Sequence, residues 1–245
     1  MFLEKYFYKL ILSYDGTCYC GYQKQPQTKT IQQTLENALK SMTKRQINTF
    51  AASRTDKGVH AQEQTIHFQT AFAIELKRFK NTLNRILPPD IRIKKIEKAT
   101  ADFHARYWAK SKIYHYIFAK KPLNAFNYHF QVFVANLDFA KIKSAMNLII
   151  GKYNFASFTN DKKEKNFNKT VLNAFVKETS QNYILIFHAD GFLKYMVRFL
   201  VGGLIEIGKN KMSLELFKAM LTNTTNQKVS LLAPAKGLFL KKIFY

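Results

Sequence analysis

Acidic residues are scarce: 16 Asp and Glu stand against 39 Lys and Arg in a chain of 245 residues, a net charge of +23 and a pI near 9.9. Such an excess repels itself in a compact chain, and a polyanionic partner, nucleic acid or an anionic membrane surface, is the usual reason to carry it. Cysteine is nearly absent. Cys18 and Cys20 are the only two; their C-x-C spacing has no second pair to complete a zinc site and excludes a disulfide framework, so a reducing cytoplasm is the expected compartment. Nor does a metal pattern arise from the six histidines, His60, His67, His104, His115, His129 and His188, since no pair has H-x-x-x-H spacing. No metal and no cofactor are expected. No apolar run reaches the roughly 18 residues a membrane span needs. The start, Met1-Phe2-Leu3-Glu4-Lys5-Tyr6, lacks the apolar core of a signal peptide.

What the chain does have is apolar and aromatic mass. Hydrophobic residues make up 47%, with 22 Phe, 13 Tyr and one Trp. A packed core is within reach and disorder is not the default. Rings beyond the needs of a core are suited to stacking on unpaired bases.

Hydrophobic periodicity divides the chain into two halves with the same order of elements. Tyr6 to Tyr14 reads as a strand ending at the Asp15-Gly16 turn. Ile31, Leu35, Ala38, Leu39 and Met42 fall at helical spacing after Thr30, an N-cap residue. Strands follow at Gln46 to Ala52 and Gln64 to Gln69. A helix through Leu76, Phe79, Leu83 and Ile86 stops at Pro88-Pro89, and Ile91 to Ile96 alternates as a strand. This is β-α-β-β-α-β, the ferredoxin-like pattern. In the second half Tyr107 to Phe118 reads as a strand. Phe139, Ile142, Ala145, Met146 and Ile149 form a helical face ending at Gly151. Thr170 to Lys177 and Tyr183 to His188 form a hairpin pair. Phe192 to Ile207, the longest apolar segment here, reads as a buried helix carrying Lys194 and Arg198. Ser213 caps a shorter helix and Leu238 to Phe244 closes as a strand. The expected class is α+β, with domains at 1–104 and 105–245. Two loops stand apart. Asp15 to Gln27 is placed between strand and helix, as binding loops are. Asn160 to Lys169, with Lys162, Lys163 and Lys165, reads as a solvated loop.

One segment carries more than a turn requires. Ser53-Arg54-Thr55-Asp56-Lys57-Gly58-Val59-His60-Ala61 joins two expected strands. Asp-Lys-Gly alone makes a good turn, with Gly58 free to take positive φ. It does not need Arg54, Thr55 and His60. A carboxylate between Arg54 and Lys57 is expected to stay ionised, since neighbouring cations favour its charged form. An ionised carboxylate serves as nucleophile or as base.

Arg54 to Ala61 resembles the active-site motif of the tRNA pseudouridine synthases of the TruA type. Further resemblances run in the family's order along the chain. They are Tyr14-Asp15-Gly16-Thr17 with Gly21-Tyr22-Gln23 and Gln25; Thr30-Ile31-Gln32 with Leu35-Glu36; Leu87-Pro88 with Asp90-Ile91; Phe103-His104-Ala105-Arg106; Tyr114-His115-Tyr116; Phe192-Leu193 with Met196-Val197-Arg198; and Ala233-Pro234-Ala235 with Gly237-Leu238. The resemblance implies two ferredoxin-like halves forming one continuous mixed antiparallel sheet, helices on one side and a central basic cleft. It implies isomerisation of uridine to pseudouridine at positions 38, 39 and 40 of the tRNA anticodon stem-loop, without metal or organic cofactor, by a homodimer. Asp56 matches the essential aspartate and Tyr114 the tyrosine that packs on the target uracil. Arg198 matches a charge partner of Asp56. Arg54 is placed to hold phosphate beside the flipped nucleotide or to fill the space the base leaves. The chain departs from the family at Tyr22, where Trp is usual, and at Ser53, where Gly is frequent. Gly151-Lys152-Tyr153-Asn154-Phe155 lacks a His-Asp pair, Lys194-Tyr195 replaces Tyr-His, and Lys169 stands near a frequent Arg.

The rival reading is a non-catalytic RNA-binding protein of ferredoxin-like fold. A pure phosphate binder, however, gains nothing from a carboxylate among its cations. A retaining glycosidase needs a second carboxylate about 5–5.5 Å from the first, and a metal nuclease needs an acidic cluster. Neither motif is present.

Overall fold

The computed structural model describes residues 4–245; Met1–Leu3, part of the start read above, lie outside the described residues. Among them are nine strands and five α-helices, an α+β chain. It forms two compact units. The first takes the chain as far as Lys110 together with Leu240–Tyr245; the second is Ser111–Phe239.

The first unit contains β1 (Tyr6–Tyr14), α1 (Ile31–Thr43), β2 (Phe50–Ala51), β3 (His60–Thr70), α2 (Leu76–Ile86), β4 (Ile91–Lys98) and most of β9 (Leu238–Phe244). Strand order is β4-β1-β3-β9, with β2 also paired to β3. β1 lies antiparallel to both β3 and β4. Alternation places Tyr8, Leu10, Leu12 and Tyr14 of β1 on the buried face with Ile66 and Phe68 of β3. The helices contribute Leu35, Leu39, Phe79 and Leu83 to the core. Tyr8, Phe68 and Phe79 stack in series, at 5.5 and 6.2 Å between centroids. Both helices start where a side-chain oxygen takes orphan N–H groups: Thr30 accepts from Gln33, and Glu75 from Lys77 and Arg78.

Two strands differ from expectation. The strand expected over Gln46 to Ala52 shrinks to Phe50–Ala51. The backbone N–H of Thr49 donates instead to the buried carboxylate of Glu36, at 2.8 Å. β3 begins four residues earlier than expected, at His60, because Leu12↔Gln64 and Tyr14↔Ala61 continue its ladder with β1.

The second unit contains β5 (Ser111–Ala119), α3 (Phe139–Leu148), β6 (Gly151–Asn154), β7 (Asn168–Glu178), β8 (Asn182–Ala189), α4 (Met196–Gly208) and α5 (Leu214–Leu221). Its strands run in the order β5-β8-β7-β6, each pair antiparallel. Tyr116, Phe118, Leu185 and Phe187 of the sheet are buried, as are Ile142, Met146, Leu200, Leu204 and Phe217 of the helices.

The strand expected from Tyr107 starts only at Ser111, because Tyr107 and Trp108 close a turn on His104, whose carbonyl accepts from the N–H of Trp108 at 3.0 Å. The helix expected from Phe192 starts at Met196, leaving Lys194 outside it and exposed. Tyr195 takes a left-handed conformation, φ 61°, and the Thr159 hydroxyl donates to the carbonyl of Lys194 at 2.9 Å. Arg198, expected mid-helix, is therefore the third residue of α4, in its first turn. Gly151 does not end α3 directly. It opens β6 at φ 134°, a conformation closed to most side chains. No described helix is long and apolar enough to cross a membrane. Lys162, Lys163 and Lys165 are exposed.

Candidate active site

The segment around Asp56 is held from both flanks. Ala52 makes the last ladder bond, to Thr65 at 2.9 Å. The chain then leaves the sheet, and the wholly buried side chain of Gln64 replaces the missing neighbour. Its amide oxygen accepts from the N–H of Ser53 at 3.2 Å and its amide nitrogen donates to the carbonyl of Ser53 at 2.6 Å. The same nitrogen lies 3.3 Å from the hydroxyl of Tyr14. That hydroxyl is 2.8 Å from the hydroxyl of Thr55, the residue before Asp56. Past Asp56, its own carbonyl accepts from Val59 N–H at 3.1 Å, closing a turn in which Gly58 has φ 77°.

Underneath, the Asp15–Tyr22 segment approaches too closely for side chains. A Cβ on Gly16 would sit 2.1 Å from the carbonyl oxygen of Val59, and one on Gly21 2.8 Å from that of Thr55. Gly21 also has φ 89°. Tyr22 donates its N–H to the Thr55 carbonyl at 3.0 Å, and its ring is buried against Tyr14. Burial pushes the Tyr22 phenol well above the usual tyrosine value.

His60 closes the loop beneath Val59. Its Nδ1 is 3.1 Å from the N–H of Gly16 and 3.0 Å from Oδ1 of Asp15. One nitrogen cannot accept from the first and donate to the second. The Asp15 oxygen already accepts from the N–H and hydroxyl of Thr17, at 2.9 and 2.5 Å. Either bond ties the histidine to the Asp15–Tyr22 segment. The result is a partly exposed Asp56 with exposed Arg54 and Lys57 on either side in sequence, on a loop whose backbone has little freedom. Preorganised placement of this kind is what a reacting carboxylate requires.

In the second unit, Tyr114 is buried on β5, opposite Phe187 in the ladder. Phe192 meets its ring edge to face at 5.1 Å. Arg198 is half-buried; its Nε donates to the carbonyl of Ala233 at 2.7 Å and its guanidinium lies 5.5 Å from the Tyr195 ring. The segment that receives it is pinned across α4. Ala233 N–H donates to the Arg198 carbonyl, and a Cβ on Gly202 would lie 1.7 Å from the Leu231 oxygen. Tyr116 anchors the same segment through its hydroxyl, which donates to the Pro234 carbonyl at 2.9 Å. Burial raises that phenol's pKa, and the charge of Arg198 opposes the rise.

Among the described residues, no group of three or more His, Cys, Asp or Glu side chains gathers as a metal site. The positioning role of Gln64 was not read from the sequence. The signal was available: alternation puts Gln64 on the same buried face as Ile66 and Phe68, and a buried amide needs partners.

The model of a family described as tRNA pseudouridine synthase matches residues 10–108 and 145–245. The tRNA pseudouridine synthase A of Aster yellows witches'-broom phytoplasma (strain AYWB) is 64% identical over 243 residues, covering 99% of this chain and 100% of that protein. That of Phytoplasma mali (strain AT) is 54% identical over 244 residues, with the same coverage. That of Listeria innocua serovar 6a is 36% identical over 244 residues, covering 97% of this chain and 98% of that one. A match over most of the sequence, with full-length relatives at these identities, shows that the chain belongs to the tRNA pseudouridine synthase family.

Proposed function

We propose that the protein isomerises uridine to pseudouridine in tRNA, at positions 38, 39 and 40 of the anticodon stem-loop. The observation that carries this reading is the Asp56 loop, clamped by Gln64 and Tyr14 ahead of the carboxylate and turned tightly after it. In the reaction the N1–C1′ bond breaks, the uracil turns, and C5 bonds to C1′. C5 gives up its proton and N1 gains one, so that atoms balance. The base has to leave its stack before this bond can be reached. Asp56 acts on the ribose of the flipped nucleotide. Tyr114 packs on the uracil, Arg198 supplies a positive charge to the reaction, and exposed Arg54 contacts phosphate. In this reading the two units are ferredoxin-like halves, the RNA-binding surface is basic, and the working form is a cytoplasmic homodimer. A net charge of +23 supports a polyanionic substrate.

The test is tritium release from a tRNA transcript labelled at C5 of uridine. Asp56→Asn is expected to abolish release while tRNA binding survives. Release at the wild-type rate from that variant would remove the carboxylate from the chemistry.

A further inference from the structure

Four rings in the first unit form a continuous series that ends in solvent on both sides. Phe50 of β2 lies opposite His67 of β3, ring centroids 5.1 Å apart and nearly parallel at 21°. His67 is 4.6 Å from His104, and His104 is 4.2 Å from Tyr107 at 30°. The two end rings are open, Phe50 at 51% and Tyr107 at 77% exposure. Singly exposed rings are common; what sets these two apart is the ordered stack that joins them.

The array is built rather than incidental. Nδ1 of His67 accepts from the N–H of Ala105 at 3.1 Å, and Nδ1 of His104 from those of Arg106 and Tyr107 at 3.2 and 3.3 Å. The Tyr245 hydroxyl donates to the Ala105 carbonyl at 2.9 Å. Neither imidazole carries a proton on Nδ1 in this arrangement. Burial and the neighbouring His104 push His67 down to about 4, so it is uncharged near pH 7. Rings held in a fixed stack present flat π faces at little entropic cost.

The surroundings favour RNA over protein. Arg106 and Lys110 are exposed on the same segment, and Lys9 lies 4.5 Å from the Tyr245 ring behind it. Asp102 is the single carboxylate between Ala99 and Lys110. Flat aromatic faces flanked by cations are the usual platform for an unpaired base. The array is distinct from the Asp56 loop. From His60, where β3 leaves that loop, to His67 the strand runs about 23 Å, at roughly 3.3 Å per residue.

We propose that the exposed face of Tyr107, backed by His104, His67 and Phe50, stacks on an unpaired nucleobase of the tRNA other than the one being modified. This rests on the reading of tRNA as substrate. Tyr107→Ala should raise the Kd for tRNA about five- to hundredfold. It should raise KM correspondingly and leave kcat at saturating tRNA unchanged, while Tyr107→Phe and Tyr107→Trp stay near wild type. Phe50→Ala should weaken binding in the same direction. Because Tyr107 is mostly exposed, its loss does not threaten folding. Unchanged Kd in Tyr107→Ala would overturn the proposal. So would a fall in sedimenting mass caused by Tyr107→Ala, which would make the array a contact between copies of the chain. Binding is read without turnover, so a wild-type protein that released no tritium would sink the proposed reaction and leave this test standing.

Discussion

Replacing Gln64 by Leu keeps the volume at a fully buried position and removes three hydrogen bonds, two to the backbone of Ser53 and one to the hydroxyl of Tyr14. At roughly 1 kcal/mol net for each intramolecular hydrogen bond, the loss is about 2–4 kcal/mol. Domains are typically stable by about 5–15 kcal/mol, so the variant should still fold. The larger effect should fall on the reaction. With the Gln64 bonds to Ser53 and Tyr14 gone, the Asp56 backbone gains freedom, and displacements of about 1 Å can cost a hundredfold in rate. The expected result is a kcat for tritium release lowered about ten- to hundredfold, with the Kd for tRNA near wild type. Urea unfolding should show the moderate loss of stability. Gln64→Glu adds a discriminating arm. Its carboxylate accepts from Ser53 N–H but repels the Ser53 carbonyl, whereas the protonated form imitates the amide. Activity relative to wild type should therefore recover as pH falls. Full kcat in Gln64→Leu, or a loss no larger than the unfolded fraction, would show that the clamp does not position the carboxylate.

Two further outcomes follow from the same unit. Gly16→Ala places a methyl group 2.1 Å from the backbone oxygen of Val59, which no rotamer relieves; turnover should fall well beyond any change in tRNA affinity, and single-turnover kinetics would check it. His67 has a folded-state pKa lowered to about 4 from the ordinary 6.5. Between these values the unfolded chain binds a proton that the folded chain does not, so stability is complete above 6.5 and declines as pH falls toward 4. Urea midpoints measured across that window should fall less steeply in His67→Gln than in wild type.

What could be read from the sequence was local. β1, α1, α2, the β7–β8 hairpin, α5 and β9 follow from side-chain period and from caps such as Thr30 and Ser213, whose partners lie within three residues. The Arg54–Ala61 motif was equally visible, because it lies in one short stretch. Tertiary structure decided what depends on distant partners. Thr49 left its strand for Glu36, 13 residues back, and Gln64 reached 11 residues back to hold Ser53. Thr159 and Lys194, 35 residues apart, meet where α4 begins, leaving Arg198 in its first turn rather than its middle. His67 holds Ala105, 38 residues on, in a turn that runs on to Tyr107, where a strand was expected to start. The physical reason is the same in each case. A buried polar group must find a partner, and when the backbone neighbour cannot supply one, a side chain far away in sequence does.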